Sequence, residues 1–126
     1  TATHAIRLVL GGVFDAFPKL DIILGHLGET IPFALWRLHW TVNHMTGRTD
    51  FADIFRDRFH ITTSGNFSQP ALACTIAEMG IDRVLFSVDW PYNSNVEGVK
   101  FVNAARLSTE ERQKILSGNA ARLLRL

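Results

Sequence analysis

An α/β fold with parallel strands is what this sequence predicts, and three observations predict it. Helical patterns and short β-type runs alternate along the chain, with no linker, low-complexity stretch or repeat between them. The order is helix, strand, helix, strand, helix, strand and then helices, which suits parallel strands joined by helical crossovers. Two of the strand runs stop abruptly at a residue able to bind metal or move protons, His26 in Leu24-Gly25-His26 and Asp89 in Val88-Asp89. In a parallel sheet such strand ends collect along one rim, where loops build active sites.

Residues 2 to 16 put Ile6, Val9, Leu10, Val13 and Phe14 on one helical face, and Pro18 stops the run. Asp21 to Gly25 reads as a short buried strand. Thr30 is placed to cap the next helix, which has Pro32 in its first turn, runs to about Asn43 and carries Phe33, Trp36 and Trp40 on its apolar face. A short helix capped by Asp50 continues to about Arg58. The second strand, Phe59 to Thr63, is β-branched and aromatic and ends at the loop signal Ser64-Gly65-Asn66. Ser68 caps a helix with Pro70 in its first turn, and Gly80 closes it. Arg83 to Val88 is the third and most apolar strand. Two helices finish the chain, the last starting at Ser108 with Glu111 three residues on, a capping-box pattern.

Three strands are few for a parallel sheet, which is normally buried on both faces, and a barrel closes at eight. The residues alone leave open a small open sheet or the last strands of a (β/α) barrel. Either leaves apolar edges such as Val84-Leu85-Phe86 bare, so the chain alone is expected to associate or to need a missing portion.

With 126 residues, 47% apolar and 20% charged, the chain is one domain able to bury a core. Its net charge of +1, with both signs interspersed, carries no footprint of a nucleic-acid or membrane-surface partner. No apolar stretch has the length of a membrane span, and no charged start with an apolar core marks a signal peptide. A cytoplasmic location is the default expectation. The single cysteine, Cys74, can form no internal disulfide and reads as a small core residue of a helix. A start at Thr1 fits a trimmed initiator or a piece of something longer.

The chemistry concentrates in two places. His26 follows a strand, is flanked by glycines and has Glu29 three residues on, so the carboxylate can orient the imidazole for proton transfer. Asp89 ends an apolar strand, where its carboxylate must reach solvent, cap a turn or coordinate a cation. The pattern alone also admits a histidine packed under the next helix and an aspartate that turns the chain before Trp90-Pro91. No strand runs into a Gly-x-Gly-x-x-Gly turn, which argues against a dinucleotide site.

Four segments in order carry a family resemblance: Gly25-His26-Leu27-Gly28-Glu29, Pro32 with Trp36-Arg37, Phe59 through Ser64-Gly65-Asn66-Phe67, and Phe86-Ser87-Val88-Asp89-Trp90-Pro91-Tyr92. Together they resemble the C-terminal part of the metal-dependent amidohydrolase-related family, and within it the non-oxidative decarboxylases of hydroxybenzoic acids. The resemblance implies a (β/α)8 TIM barrel, of which this chain supplies about three strand-helix units as strands six to eight. By position, Asp89 matches the metal ligand that also handles the proton, His26 the catalytic histidine and Glu29 its acidic partner. Arg37 matches a substrate-contacting arginine and Tyr92 an aromatic residue lining the substrate pocket.

The implied cofactor is a divalent zinc or manganese ion, the implied substrate a small aromatic carboxylic acid, and the implied assembly a homo-oligomer. The family's other metal ligands, an acidic-or-His, any residue, His motif and a further histidine, belong to earlier strands. His4, His39, His44 and His60 do not replace them and read as structural or solvated, so Asp89 alone is expected to bind metal weakly or not at all. Two further readings stay open: a hydrolase of a lactone or amide, and a non-catalytic piece that self-associates.

Overall fold

A computed structural model describes residues 1–126. Strands β1 (Ile22–Leu24), β2 (Phe59–Thr62) and β3 (Val84–Leu85) form one parallel sheet in the order β1-β2-β3. The rest is helical: α1 (Ala2–Leu10), α2 (Val13–Ala16), α3 (Ile31–Thr46), α4 (Phe51–Arg58), α5 (Gln69–Met79), α6 (Asn95–Ala104), α7 (Thr109–Gln113) and α8 (Asn119–Leu124). Short 3-10 turns lie at His26–Gly28 and Ile81–Arg83, and a π-helical stretch at Lys114–Gly118 joins α7 to α8. The predicted alternation and parallel pairing are present, and no helix is long and apolar enough to cross a membrane.

Register divides the sheet into two unlike faces. Ile22 pairs with Phe59, and Leu24, Ile61 and Val84 lie in line across the three strands. All of these pack into apolar clusters with the helices. Phe55 of α4 and Phe59 are fully buried with ring centroids 4.5 Å apart, and Phe14 of α2 tilts onto Phe59 at 5.4 Å. Full burial of each such ring stabilises the fold by about 1.5–3 kcal/mol. Ile23, paired with His60, and Thr62, paired with Leu85, point the other way and belong to neither cluster.

On that other face His60 is 6% exposed, with its Nε2 3.1 Å from Arg83 Nη1. Burial, and after it the Arg83 charge, holds its imidazole below the usual histidine range and so favours the neutral ring.

Several elements differ from expectation, each for a local reason. The helix expected over 2 to 16 is two helices, broken where Gly12 takes a left-handed φ of 72°, and Leu10 turns outward. On α3 the aromatic face is not the packed one: Ile31, Pro32, Leu35 and Val42 face the core, while Phe33 is 88% and Trp36 70% exposed. At about 100° per residue, Phe33, Trp36 and Trp40 stand roughly opposite Leu35, so the helix carries two apolar stripes and the aliphatic one meets the sheet. Neither Thr30 nor Asp50 caps its helix through the side chain, and Arg48 Nε holds Asp50 Oδ1 at 2.7 Å. Cys74 is only half-buried on α5.

The third strand is far shorter than the expected Arg83 to Val88. Beyond Leu85 the ladder gives way to other partners. Phe86 N–H donates to the Ile115 carbonyl in the π-helical stretch (2.8 Å), and Ser87 N–H donates to Thr63 Oγ1 (3.0 Å). The same Thr63 hydroxyl donates to the Ser87 carbonyl at 2.7 Å, while Asn119 Nδ2 donates to the Ile81 and Val84 carbonyls, each at 2.8 Å. The Ser108–Glu111 capping box and the Ser68 cap are present as predicted.

Phe55→Ala is expected to lower unfolding free energy by about 3–5 kcal/mol, while Phe33→Ala changes it by less than about 0.5 kcal/mol. Urea denaturation followed by tryptophan fluorescence reads both, and equal losses would contradict the one-sided packing. Because His60 is depressed in the fold, the unfolded chain takes up its proton first as pH drops. Its stabilising contribution, complete above about pH 6.5, is therefore lost as pH falls through the lower folded value. His60→Phe is expected to flatten that acid-side decline.

Candidate active site

The site lies at the C-terminal ends of the strands and starts from an unusual backbone. After β1, His26, Leu27, Gly28 and Glu29 have φ of 56°, 52°, 75° and 58°. A non-glycine residue held there costs on the order of 1–3 kcal/mol, so the surroundings must enforce it. Leu27 is fully buried in the second apolar cluster, and Thr75 Oγ1 of α5 donates to its carbonyl at 3.1 Å. Asn66 Nδ2 donates to the His26 carbonyl at 3.4 Å, and Gly28 and Glu29 N–H close short turns onto Gly25 and His26 at 2.9 and 3.0 Å.

This coil puts His26 and Glu29 side by side, with Nδ1 3.0 Å from Glu29 Oε1. With a Glu29 oxygen as acceptor Nδ1 carries a hydrogen, and in the neutral ring this leaves the lone pair on Nε2. That lone pair faces Asp89, whose Oδ2 is 3.7 Å away. Asp89 also has a left-handed φ, 76°, and its carbonyl accepts from the N–H groups of Tyr92 (2.9 Å) and Asn93 (3.1 Å). Asn93 Nδ2 holds Asp89 Oδ2 at 3.3 Å. The side chains of His26, Glu29 and Asp89 are each about one-third exposed, open to a small molecule.

His26 and Asp89, 63 positions apart in the sequence, are thus brought together by the predicted strand ends. The structure does not join Arg37 or Tyr92 to this trio by any hydrogen bond or ion pair. Arg37 lies on the outward stripe of α3 with its guanidinium 4.7 Å from the Trp40 ring centre, and the Tyr92 side chain is 86% exposed. The other histidines are elsewhere: His4 is exposed, His39 Nδ1 accepts from Ala52 N–H at 3.4 Å, and His44 stacks on Trp40 at 5.2 Å.

Gly65, visible in the sequence only as a loop signal, forms the floor beneath the pair. A Cβ there would lie 2.9 Å from His26 Cδ2 and 3.0 Å from Asp89 Oδ2. Its φ of 64° adds a second reason for glycine. Asn66, Thr75 and Asn93 are likewise positioning residues that only the folded chain reveals.

The donor set tests the fit of a cation. Asp89 Oδ2 is engaged by Asn93 while Oδ1 has no hydrogen bond, so one carboxylate oxygen is available beside the imidazole. No group of three His, Cys, Asp or Glu side chains converges to hold a metal. Asp89 therefore fits one position of a coordination sphere, and these 126 residues do not supply the rest.

Gly65→Ala is expected to displace the His26 ring and the Asp89 carboxylate and to cost about 1–3 kcal/mol through its backbone. Unchanged ring resonances of His26 by NMR would contradict the contact.

The whole chain, residues 1–126, matches the amidohydrolase family model. It is 43% identical to the γ-resorcylate decarboxylase of Rhizobium radiobacter over 132 aligned residues, covering 100% of this chain and 40% of that protein. A crystal structure of 2,6-dihydroxybenzoate decarboxylase in complex with 2,6-dihydroxybenzoate superposes with a TM-score of 0.92 at 42% identity, over 100% of this chain and 41% of the other. A dihydroxybenzoic acid decarboxylase from Polaromonas, with bound manganese and the inhibitor 2-nitroresorcinol, gives 0.92 at 38% identity, over 99% and 40%. The chain thus spans about two-fifths of the length of these relatives. A match along its full length, together with a three-stranded parallel sheet that superposes on part of those structures, means that the chain belongs to the amidohydrolase family.

Proposed function

We propose that this chain supplies the acid–base rim of a metal-dependent, non-oxidative decarboxylase of hydroxybenzoate-type acids, as strands six to eight of a (β/α)8 barrel. The observation that carries this reading is His26 Nε2 facing Asp89 at 3.7 Å with Glu29 behind the ring. The γ-resorcylate and dihydroxybenzoate decarboxylases among its relatives support the substrate class.

The reaction replaces a carboxylate on an aromatic ring by hydrogen. A divalent cation, manganese or zinc, with Asp89 among its ligands would supply charge neutralisation for the substrate's carboxylate and ortho oxygen. His26 Nε2, its lone pair outward because Glu29 holds Nδ1–H, takes the proton of the ortho hydroxyl and leaves the ring electron-rich. Asp89, in its protonated form, delivers a proton to the ring carbon that bears the carboxylate. The bond from that carbon to the carboxylate then breaks, its electron pair returns to the ring and carbon dioxide leaves. The proton held on His26 restores the hydroxyl, and Asp89, left ionised and open to solvent, takes the consumed proton from water before the next turnover. Glu29 fixes the imidazole tautomer, and Asn93 and Gly65 set the Asp89 carboxylate against the ring.

Arg37 and Tyr92 enter this reading as substrate-binding residues on the strength of their positions in the sequence. The outward aromatic stripe of α3, Phe33, Trp36 and Trp40, supports assembly into a homo-oligomer, since it points away from the sheet its own helix covers.

In a polypeptide carrying the full barrel and loaded with manganese, 2,6-dihydroxybenzoate is expected to release carbon dioxide with loss of ultraviolet absorbance. Asp89→Asn should lower turnover by about 10²–10⁴-fold and reduce bound metal, and unchanged activity would remove Asp89 from the mechanism. Glu29→Gln should cost about 10–100-fold, mainly in kcat, whereas Arg37→Met should act mainly on KM. Ester or amide turnover without gas release would favour a hydrolase instead.

A further inference from the structure

The two oxygens of Asp89 have unlike surroundings, and the loop that follows makes them so. Asp89 takes a left-handed φ of 76°, and its carbonyl accepts from Tyr92 N–H at 2.9 Å and from Asn93 N–H at 3.1 Å. The chain thereby turns back on itself and returns the half-buried Asn93 side chain to the aspartate it follows. Asn93 Nδ2 donates to Asp89 Oδ2 at 3.3 Å.

Oδ2 is hemmed in by other groups as well. His26 Nε2 stands 3.7 Å away, and a Cβ on Gly65 would lie 3.0 Å from the same oxygen. Oδ1 takes part in no hydrogen bond or ion pair, while the side chain as a whole is one-third exposed. The carboxylate therefore has one oxygen held and one oxygen offered.

The Asn93 amide is the only hydrogen bond that fixes this carboxylate against rotation. The last torsion of an aspartate is broad, so without the amide Oδ1 and Oδ2 can change places. Hard divalent cations take a carboxylate through one oxygen or through both. A group free to turn would offer both, and chelation would draw Oδ2 away from the imidazole.

We propose that Asn93 is a positioning residue that divides the Asp89 carboxylate between two tasks, keeping Oδ2 against the His26 imidazole and leaving Oδ1 alone to meet a divalent cation. This rests on the reading of Asp89 as a metal ligand and adds to it a selector of denticity that is not itself a ligand. The backbone N–H bonds to the Asp89 carbonyl hold the turn, so the side chain can be changed without dismantling the loop.

Asn93→Leu, which keeps the bulk and removes the donor, is the test, made in a polypeptide carrying the full barrel with manganese as the probe. Titration followed by electron paramagnetic resonance is expected to show manganese bound as tightly as in the wild type or more tightly. Over the same substitution kcat for 2,6-dihydroxybenzoate should fall about 10–100-fold with little change in KM. In the metal-free protein the ¹⁵Nε2 resonance of His26 should move, because its carboxylate neighbour is released. Asn93→Gln, which restores a donor, should recover part of the resonance position and of kcat, and Asn93→Ala serves if the Leu variant does not fold.

Manganese binding that weakens in step with kcat, an unmoved His26 resonance, or no recovery with glutamine overturns the proposal, as does a wild-type protein that binds no manganese. A wild-type protein that releases no carbon dioxide, yet shows retained manganese affinity and the His26 shift in the Leu variant, refutes the decarboxylase reading and upholds the role of Asn93.

Discussion

Phe59 and Ile61 turn toward the helices and are fully buried, while His60 and Thr62, alternating with them, turn the other way. That alternation along four residues of β2 constrains the rest of the molecule. A parallel sheet is a layer that needs cover on both sides, and here both apolar clusters lie on one. The packed side anchors the strands firmly enough for loops at their ends to hold strained conformations. The other side presents Ile23 and the His60–Arg83 pair.

The rim shows how such anchoring becomes chemistry. Positive φ at His26, Glu29 and Asp89 stores strain at the residues that would do the reaction, and Leu27 between the first two shares it. Its compensations lie in neighbours with no part in proton transfer: the buried Leu27 side chain, the Thr75 hydroxyl and the Asn66 amide. Without these, the loop after β1 would relax toward ordinary backbone and the imidazole would swing away from Asp89. The Thr63 hydroxyl does the equivalent for the other half, tying Ser87 to β2 two residues before Asp89.

Much of this was legible in the residues, and what was not has physical causes. Strand positions, crossovers and the convergence of His26, Glu29 and Asp89 follow from local pattern plus the rule that parallel strand ends share a rim. The packed face of α3 did not, because aromatic and aliphatic stripes on opposite sides of one helix give the same apolar count, and only the sheet decides which it accepts. The length of β3 escaped as well: an apolar run says nothing of whether its amides find a strand, a threonine hydroxyl or a helix carbonyl. Gly65 and Thr75 act through space on residues 24 to 48 positions away, and no spacing rule reaches that far.

The π-helical stretch at Lys114–Gly118 deserves its place in this picture. Its hydrogen bonds reach five residues back rather than four, and its Ile115 carbonyl accepts from Phe86 N–H, three residues before Asp89 in the chain. The C-terminal helices are thereby a spacer gauge for the mouth of the site. Shortening that stretch by a single residue would shift the whole tail by one step, and the slack would be felt first where the aspartate meets the histidine.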